Sequence, residues 1–141
     1  MIKQIQDGIS FALKKAYPHC LVYGDARIRQ GLETPSFFVG FGECSQNTLP
    51  NGLVKIRQLV EVVYFSKEEG DINDMWEVGP GVMGLLGELS LLDGSKVRGT
   101  LRRCTVQDDV MHIYAMYDLR VRPIEQYKMM EELIQKTMIS W

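Results

Sequence analysis

The side chains best suited to covalent or metal chemistry in this 141-residue sequence are three cysteines and two histidines: Cys20, Cys44, Cys104, His19 and His112. A cysteine nucleophile needs a histidine within hydrogen-bond reach. The one apposition the sequence offers is Cys104 with His112. They would face each other if 96–106 and 110–122 form a hairpin with Gln107-Asp108-Asp109 at its tip. A bland pairing on a sheet surface accounts for the same two residues, and that reading is preferred. His112 and Asp118 lie six residues apart on one strand. At roughly 3.3 Å per residue they cannot touch, so no triad forms along it.

Metal and nucleotide chemistry have less support. Structural zinc takes four ligands in tight spacing, and the cysteines are far apart with no C-x-x-C. No G-x-x-x-x-G-K-[ST] or G-x-G-x-x-G is present. Glu68-Glu69, Asp108-Asp109 and Glu131-Glu132 read as solvated turns and helix faces. The eight methionines read as core filler or interface. The expectation is therefore no catalytic, cofactor or metal residue, and no enzyme. Cys104 with His112 is kept as the rival hydrolase reading.

Composition agrees. Hydrophobic content of 45% and charged content of 24% are ordinary for a globular domain, and the length suits one domain, 1–141. A net charge of −2 argues against wholesale attraction to nucleic acid or anionic membrane. No apolar run approaches the roughly 18–20 residues that cross a bilayer. Three cysteines, far apart and odd in number, and a mixed polar N-terminus suit a reducing cytoplasm.

The elements that must position these residues centre on Leu53 to Phe65. Its apolar positions alternate at Val54, Ile56, Val60, Val62 and Tyr64, with Gln58 the one break, which predicts a long strand. Ile2 to Ala16 carries Ile5, Ile9 and Leu13 at helical spacing and stops before Pro18. Cys20 to Tyr23 and Ser36 to Cys44 read as strands. Ser45 to Gly52 reads as an exposed, mobile loop ending in Pro50-Asn51-Gly52. Ile72 to Leu89 predicts a second helix with Ile72, Met75, Trp76, Gly79, Val82, Met83, Leu86 and Leu89 on one face. Pro80 should kink it or split it in two. The late hairpin follows, and a last helix opens at Pro123. The order α-β-β-β-α-β-β-α predicts an α+β fold: a mainly antiparallel sheet with helices on one face.

The three-residue tip sets a register for the late hairpin. It pairs Val106 with Val110, Cys104 with His112, Arg102 with Tyr114, Thr100 with Met116 and Arg98 with Asp118 on the outer face. Arg103 falls opposite Ile113 on the inner face, where it would have to snorkel. Arg98, Arg102, Arg120 and Arg122 would then form one solvent-facing basic strip. A two-residue tip would mix polar with apolar residues along the whole pairing.

Several stretches together carry a resemblance. Gly31-Leu-Glu-Thr-Pro-Ser-Phe-Phe-Val39, then Ser45-Gln46, then Val62-Val63-Tyr64-Phe65 resemble small phage tail terminator (tail completion) proteins of phages and prophages of Gram-positive bacteria. Ala16-Tyr17-Pro18 and Tyr117-Asp-Leu-Arg-Val-Arg122 match in kind and order. The chain departs from that pattern at Gly79-Pro80-Gly81 and at Leu49 to Gly52. The resemblance implies a structural protein without cofactor, acting in the virion tail after assembly in the host cytoplasm. Its implied partners are further copies of itself in a ring, commonly a hexamer, the tail tube protein and the head–tail connector. No membrane and no specific nucleic acid are implied. Another head–tail joining component, an adaptor, is the alternative of the same class. The interface residues expected on this reading are Gln46, Asn47, Thr48, Leu49 and Asn51 in the polar loop, with Arg98, Arg102, Arg120 and Arg122 on the strip.

Overall fold

The structure is a computed structural model that describes residues 2–24 and 33–122. The helix expected from Pro123 lies outside the described residues. The elements are α1 (Ile2–Ala16), β1 (Leu21–Tyr23), β2 (Ser36–Thr48), β3 (Val54–Phe65), α2 (Ile72–Gly87), β4 (Glu88–Ser90), β5 (Lys96–Gln107) and β6 (Val110–Val121). The strands form one six-stranded sheet in the order β1-β2-β3-β6-β5-β4. Only β1–β2 is parallel; the other pairings are antiparallel. The expected α+β class holds, and the expected element order holds through β6, with the short β4 added at one edge.

β3 is central, paired with β2 on one side and β6 on the other. Its even-numbered residues Val54, Ile56, Val60, Val62 and Tyr64 are all buried. They sit level with Val121, Leu119, Ala115, Ile113 and Met111 of β6, also buried. Helix α1 adds Ile5, Ile9 and Leu13 to this core, and α2 adds Met75, Val78, Val82 and Leu86. Burying one such side chain is worth about 1.5–3 kcal/mol. A one-residue slip of β6 would expose its entire inward row, a loss comparable to a domain's whole stability of roughly 5–15 kcal/mol.

Gln58, the break in the alternation, is 2% exposed and has a structural role. β2 is bulged between Phe41 and Cys44. The Gln58 amide donates to the Gly42 carbonyl at 3.3 Å and to the Leu59 carbonyl at 2.9 Å. It thus reaches a carbonyl in the bulge, where the ladder is interrupted.

Three expectations are corrected. β2 does not end at Cys44; it continues to Thr48, with Gln46, Asn47 and Thr48 opposite Ile56, Lys55 and Val54. The expected mobile loop is therefore mostly strand, closed by a short turn at Leu49–Leu53. Next, α2 runs through Pro80 as one helix, so of the two outcomes expected there the split does not occur. Its inner face, Met75, Val78, Gly79, Val82 and Leu86, holds it on the sheet across the missing hydrogen bond. Asp71 caps its start by accepting from the Asp74 amide at 3.2 Å. Finally, Ile72 and Trp76 lie outside that face and are half exposed, while Leu89 is buried from β4.

Two glycines near the end of α2 give opposite expectations. A Cβ on Gly84 meets nothing, whereas a Cβ on Gly99 would overlap the Leu86 carbonyl oxygen. Gly84→Ala should stabilise by about 1 kcal/mol through helix propensity. Gly99→Ala should destabilise by roughly 1–3 kcal/mol, because backbone must move. Urea unfolding midpoints of the two variants check both signs.

Candidate interaction surfaces

The hairpin β5–β6 decides what the late basic residues do. Its tip is two residues, Asp108 and Asp109, with φ of 53° and 61°. Positive φ at both is the primed turn that matches the twist of paired strands, and aspartate tolerates it. Gln107 therefore faces Val110, Val106 faces Met111, Cys104 faces Ile113 and Arg103 faces Tyr114. A bulge between Thr100 and Arg103 then re-phases the strand, so Thr100 faces Met116 and Gly99 faces Tyr117. The expected pairing holds beyond the bulge and fails by one residue between bulge and tip.

This shift reassigns every residue near the tip. Arg103 takes the place expected of Arg102: it lies on the outer face, its guanidinium 4.6 Å from the Tyr114 ring centre. Arg102 sits in the bulge and turns to the helix side, donating to the Met83 carbonyl of α2 at 2.8 Å. The four-arginine outer strip is thus broken. Arg98 faces Glu88 of β4, Arg120 faces Lys55 of β3, and Arg122 follows the end of β6, exposed. The Lys55–Arg120 apposition places like charges across a ladder, which costs stability unless an anion is near. Next to it Arg57 and Asp118 pair at 2.9 Å.

Cys104 and His112 do not meet. Cys104 points inward beside Met111 and Gly79, and burial pushes its thiol pKa up. His112 is on the other face, its Nδ1 2.7 Å from the Glu61 carboxylate. A one-residue change of register separates the pair that the sequence suggested. Among the described residues no group of His, Cys, Asp or Glu is placed to hold a metal.

The turn after β2 is ordered by its own hydrogen bonds. The Leu49 amide donates to the Leu53 carbonyl at 2.7 Å, and the Gly52 amide to the Leu49 carbonyl at 2.9 Å. The Asn51 side chain accepts from the Leu53 amide at 3.1 Å. Gly52 has φ +84°, a conformation glycine adopts without a steric penalty. Leu49 is half-buried; Gln46, Asn47, Thr48 and Asn51 are exposed.

Two clefts flank α2. At its start, His19, Tyr64, Lys67, Glu68, Asp71, Asp74 and Glu77 line an open acidic cleft of about 550 Å³. Tyr64 donates to Asp74 at 2.6 Å; burial first, then this bond, pushes its pKa well above the tyrosine range. At its other end, Pro80, Met83, Gly84 and Gly99–Arg102 line a groove between α2 and β5. Leu101 is 70% exposed there, at φ 49°. The sequence held one sign of this bulge. The apolar phase of β5 changes from odd positions at Val97 and Gly99 to even ones at Cys104 and Val106.

Residues 4–129 match the profile of a family described as phage tail terminator protein. The chain belongs to the phage tail terminator family. Comparison with curated proteins gives no match. Membership makes this a structural protein of phage tail assembly, in contact with other tail components and located in the virion tail. No helix among the described residues is long and apolar enough to cross a membrane. Among the described residues this tail terminator shows an exposed strand end in β2, a groove beside β5 and an acidic cleft.

The cysteines test this geometry directly. Cys44 is exposed, while Cys20 and Cys104 are covered and burial raises their thiol pKa values. A thiol reagent should label Cys44 rapidly and the other two at least tenfold more slowly until urea is added, read by mass spectrometry. Alkali tests the phenols. Tyr64 and Tyr117 both have raised pKa values, chiefly from burial. Each favours the fold while neutral, so stability should be constant below about pH 10, the ordinary tyrosine pKa, and fall as pH rises beyond it. Urea midpoints at pH 8 and 11 should separate by less in a Tyr64→Phe, Tyr117→Phe double variant.

Proposed function

We propose that this protein caps the end of the tail tube as a ring, stops tube polymerisation and presents a surface to the head connector. The family match over residues 4–129 carries this reading. The role needs two different surfaces on each subunit, one that closes a ring heterologously and one that complements the tube end. β2 is exposed at every residue from Phe41 to Thr48, and β5 is exposed at most positions on the opposite side of the sheet. That disposition supports a head-to-tail ring. The role asks for no reaction, and the separation of Cys104 from His112 favours a non-enzymatic reading. The ring would be a hexamer, assembled in the host cytoplasm, with the tail tube protein and the connector as neighbours.

Tail length is the decisive measurement. Without the protein, tubes should grow to heterogeneous excess length and remain headless in electron micrographs; adding purified protein should restore uniform headed tails. Tubes of normal length that merely lack heads would identify an adaptor and overturn the terminator reading.

A further inference from the structure

Among the described residues, both edges of the sheet are largely uncovered. β1 pairs with β2 only from Ser36 to Phe38, and β4 pairs with β5 only from Lys96 to Arg98. Beyond these points, among the described residues, Phe41–Ser45 of β2 and Leu101–Gln107 of β5 have no neighbouring strand on their outer sides. Open edges of this kind are templates for strand addition. The geometry points to a joint in which the β2 edge of one copy adds to the β5 edge of the next, an inference that rests on the ring reading above.

Three observations select a second copy as the occupant. The first is direction. β2 runs parallel to β6 and opposite to β5, by the chain of antiparallel pairings through β3. Rotation about an axis along the strands keeps these directions, so β2 meets a neighbour's β5 antiparallel. Opposite edges of one sheet make a heterologous contact, the kind that closes a ring. The second is shape. Phe41 is level with Val60, Val60 with Ala115, and Ala115 lies opposite the Leu101–Arg102 bulge. The two bulged edges thus bend at one height in the sheet. The third is chemistry on matching faces. Phe41 shares the face of Val60 and is 39% exposed; it would meet Leu101 and the Pro80–Met83 groove on that face of the neighbour. Glu43, the only charge between Ser36 and Thr48, lines a cavity with Arg57 and Met116 on the outer face. Arg103 lies on that outer face of β5, about two residues along, within reach of a long side chain.

Cross-linking on assembled tails tests the joint. A chain with Cys44→Ser, Phe41→Cys and Leu101→Cys should give a disulfide ladder above dimer after mild oxidation. Chains with one introduced cysteine should not pass dimer. Both positions are exposed, so folding should be unaffected, and circular dichroism would verify it. Independently, Glu43→Arg or Arg103→Glu alone should reduce capped tails at least tenfold, and the double exchange should recover most of the loss. Tails that are capped by a ring yet give no ladder, or that tolerate both single charge reversals, would overturn the edge joint and leave the terminator role standing. Long uncapped tubes would not appear on removing the gene if that role itself were wrong.

Discussion

The period-two pleat of β3 is the constraint on which the rest of this structure depends. One face of that strand is buried along its whole length, from Val54 to Tyr64, so a neighbour that shares that core over the same length must keep phase with it. β6 does so without interruption and supplies the second inward row. The helices then cover what the two rows present. The Tyr117 hydroxyl, inside this core, donates to the Leu86 carbonyl at 2.8 Å and ties the end of α2 to the sheet. A buried hydroxyl that lost this partner would cost about 1–3 kcal/mol.

Two other strands leave this phase. β2 and β5 each carry a bulge, and both bulges lie at the level of Val60 and Ala115. A bulge interrupts ladder hydrogen bonds and turns side chains from one face to the other. In β2 the cost is offset by Gln58, whose amide reaches the Gly42 carbonyl. In β5 the bulge sends Arg102 to the Met83 carbonyl and Arg103 onto Tyr114. The same event turns Cys104 to the inner face, half-buried against the core.

Charge is distributed to match. The outer face holds the Arg57–Asp118 ion pair and a short Glu61–His112 contact. Exposed pairs of this kind are worth little in stability, about 0–1 kcal/mol each. Their value lies in orientation: they leave Lys55 and Arg120 side by side as a basic patch near one end of the strands. The acidic cleft of Glu68, Asp71, Asp74 and Glu77 lies near the other end.

The sequence alone determined the α+β class, the order of elements, the inward rows of β3 and β6 and the inner residues Ile5, Ile9 and Leu13 of α1. Each rests on periodicity, which is local and needs no knowledge of neighbours. The stretches quoted for the resemblance also identified the family. Tertiary structure decided what periodicity cannot. A bulge is chosen by the match between two strands, so the faces of Arg102, Arg103 and Cys104 followed from the two-residue turn at Asp108-Asp109 and the re-phasing at Leu101, which together preserve both apolar rows. Gln46 to Thr48 became strand because β3 offered hydrogen-bond partners as far as Val54. Pro80 remained inside one helix because packing on both sides of it outweighed one lost hydrogen bond. Trp76 and Ile72 stayed outside the core because the helix turned to bury Val78 and Gly79, a rotation fixed by the sheet beneath it.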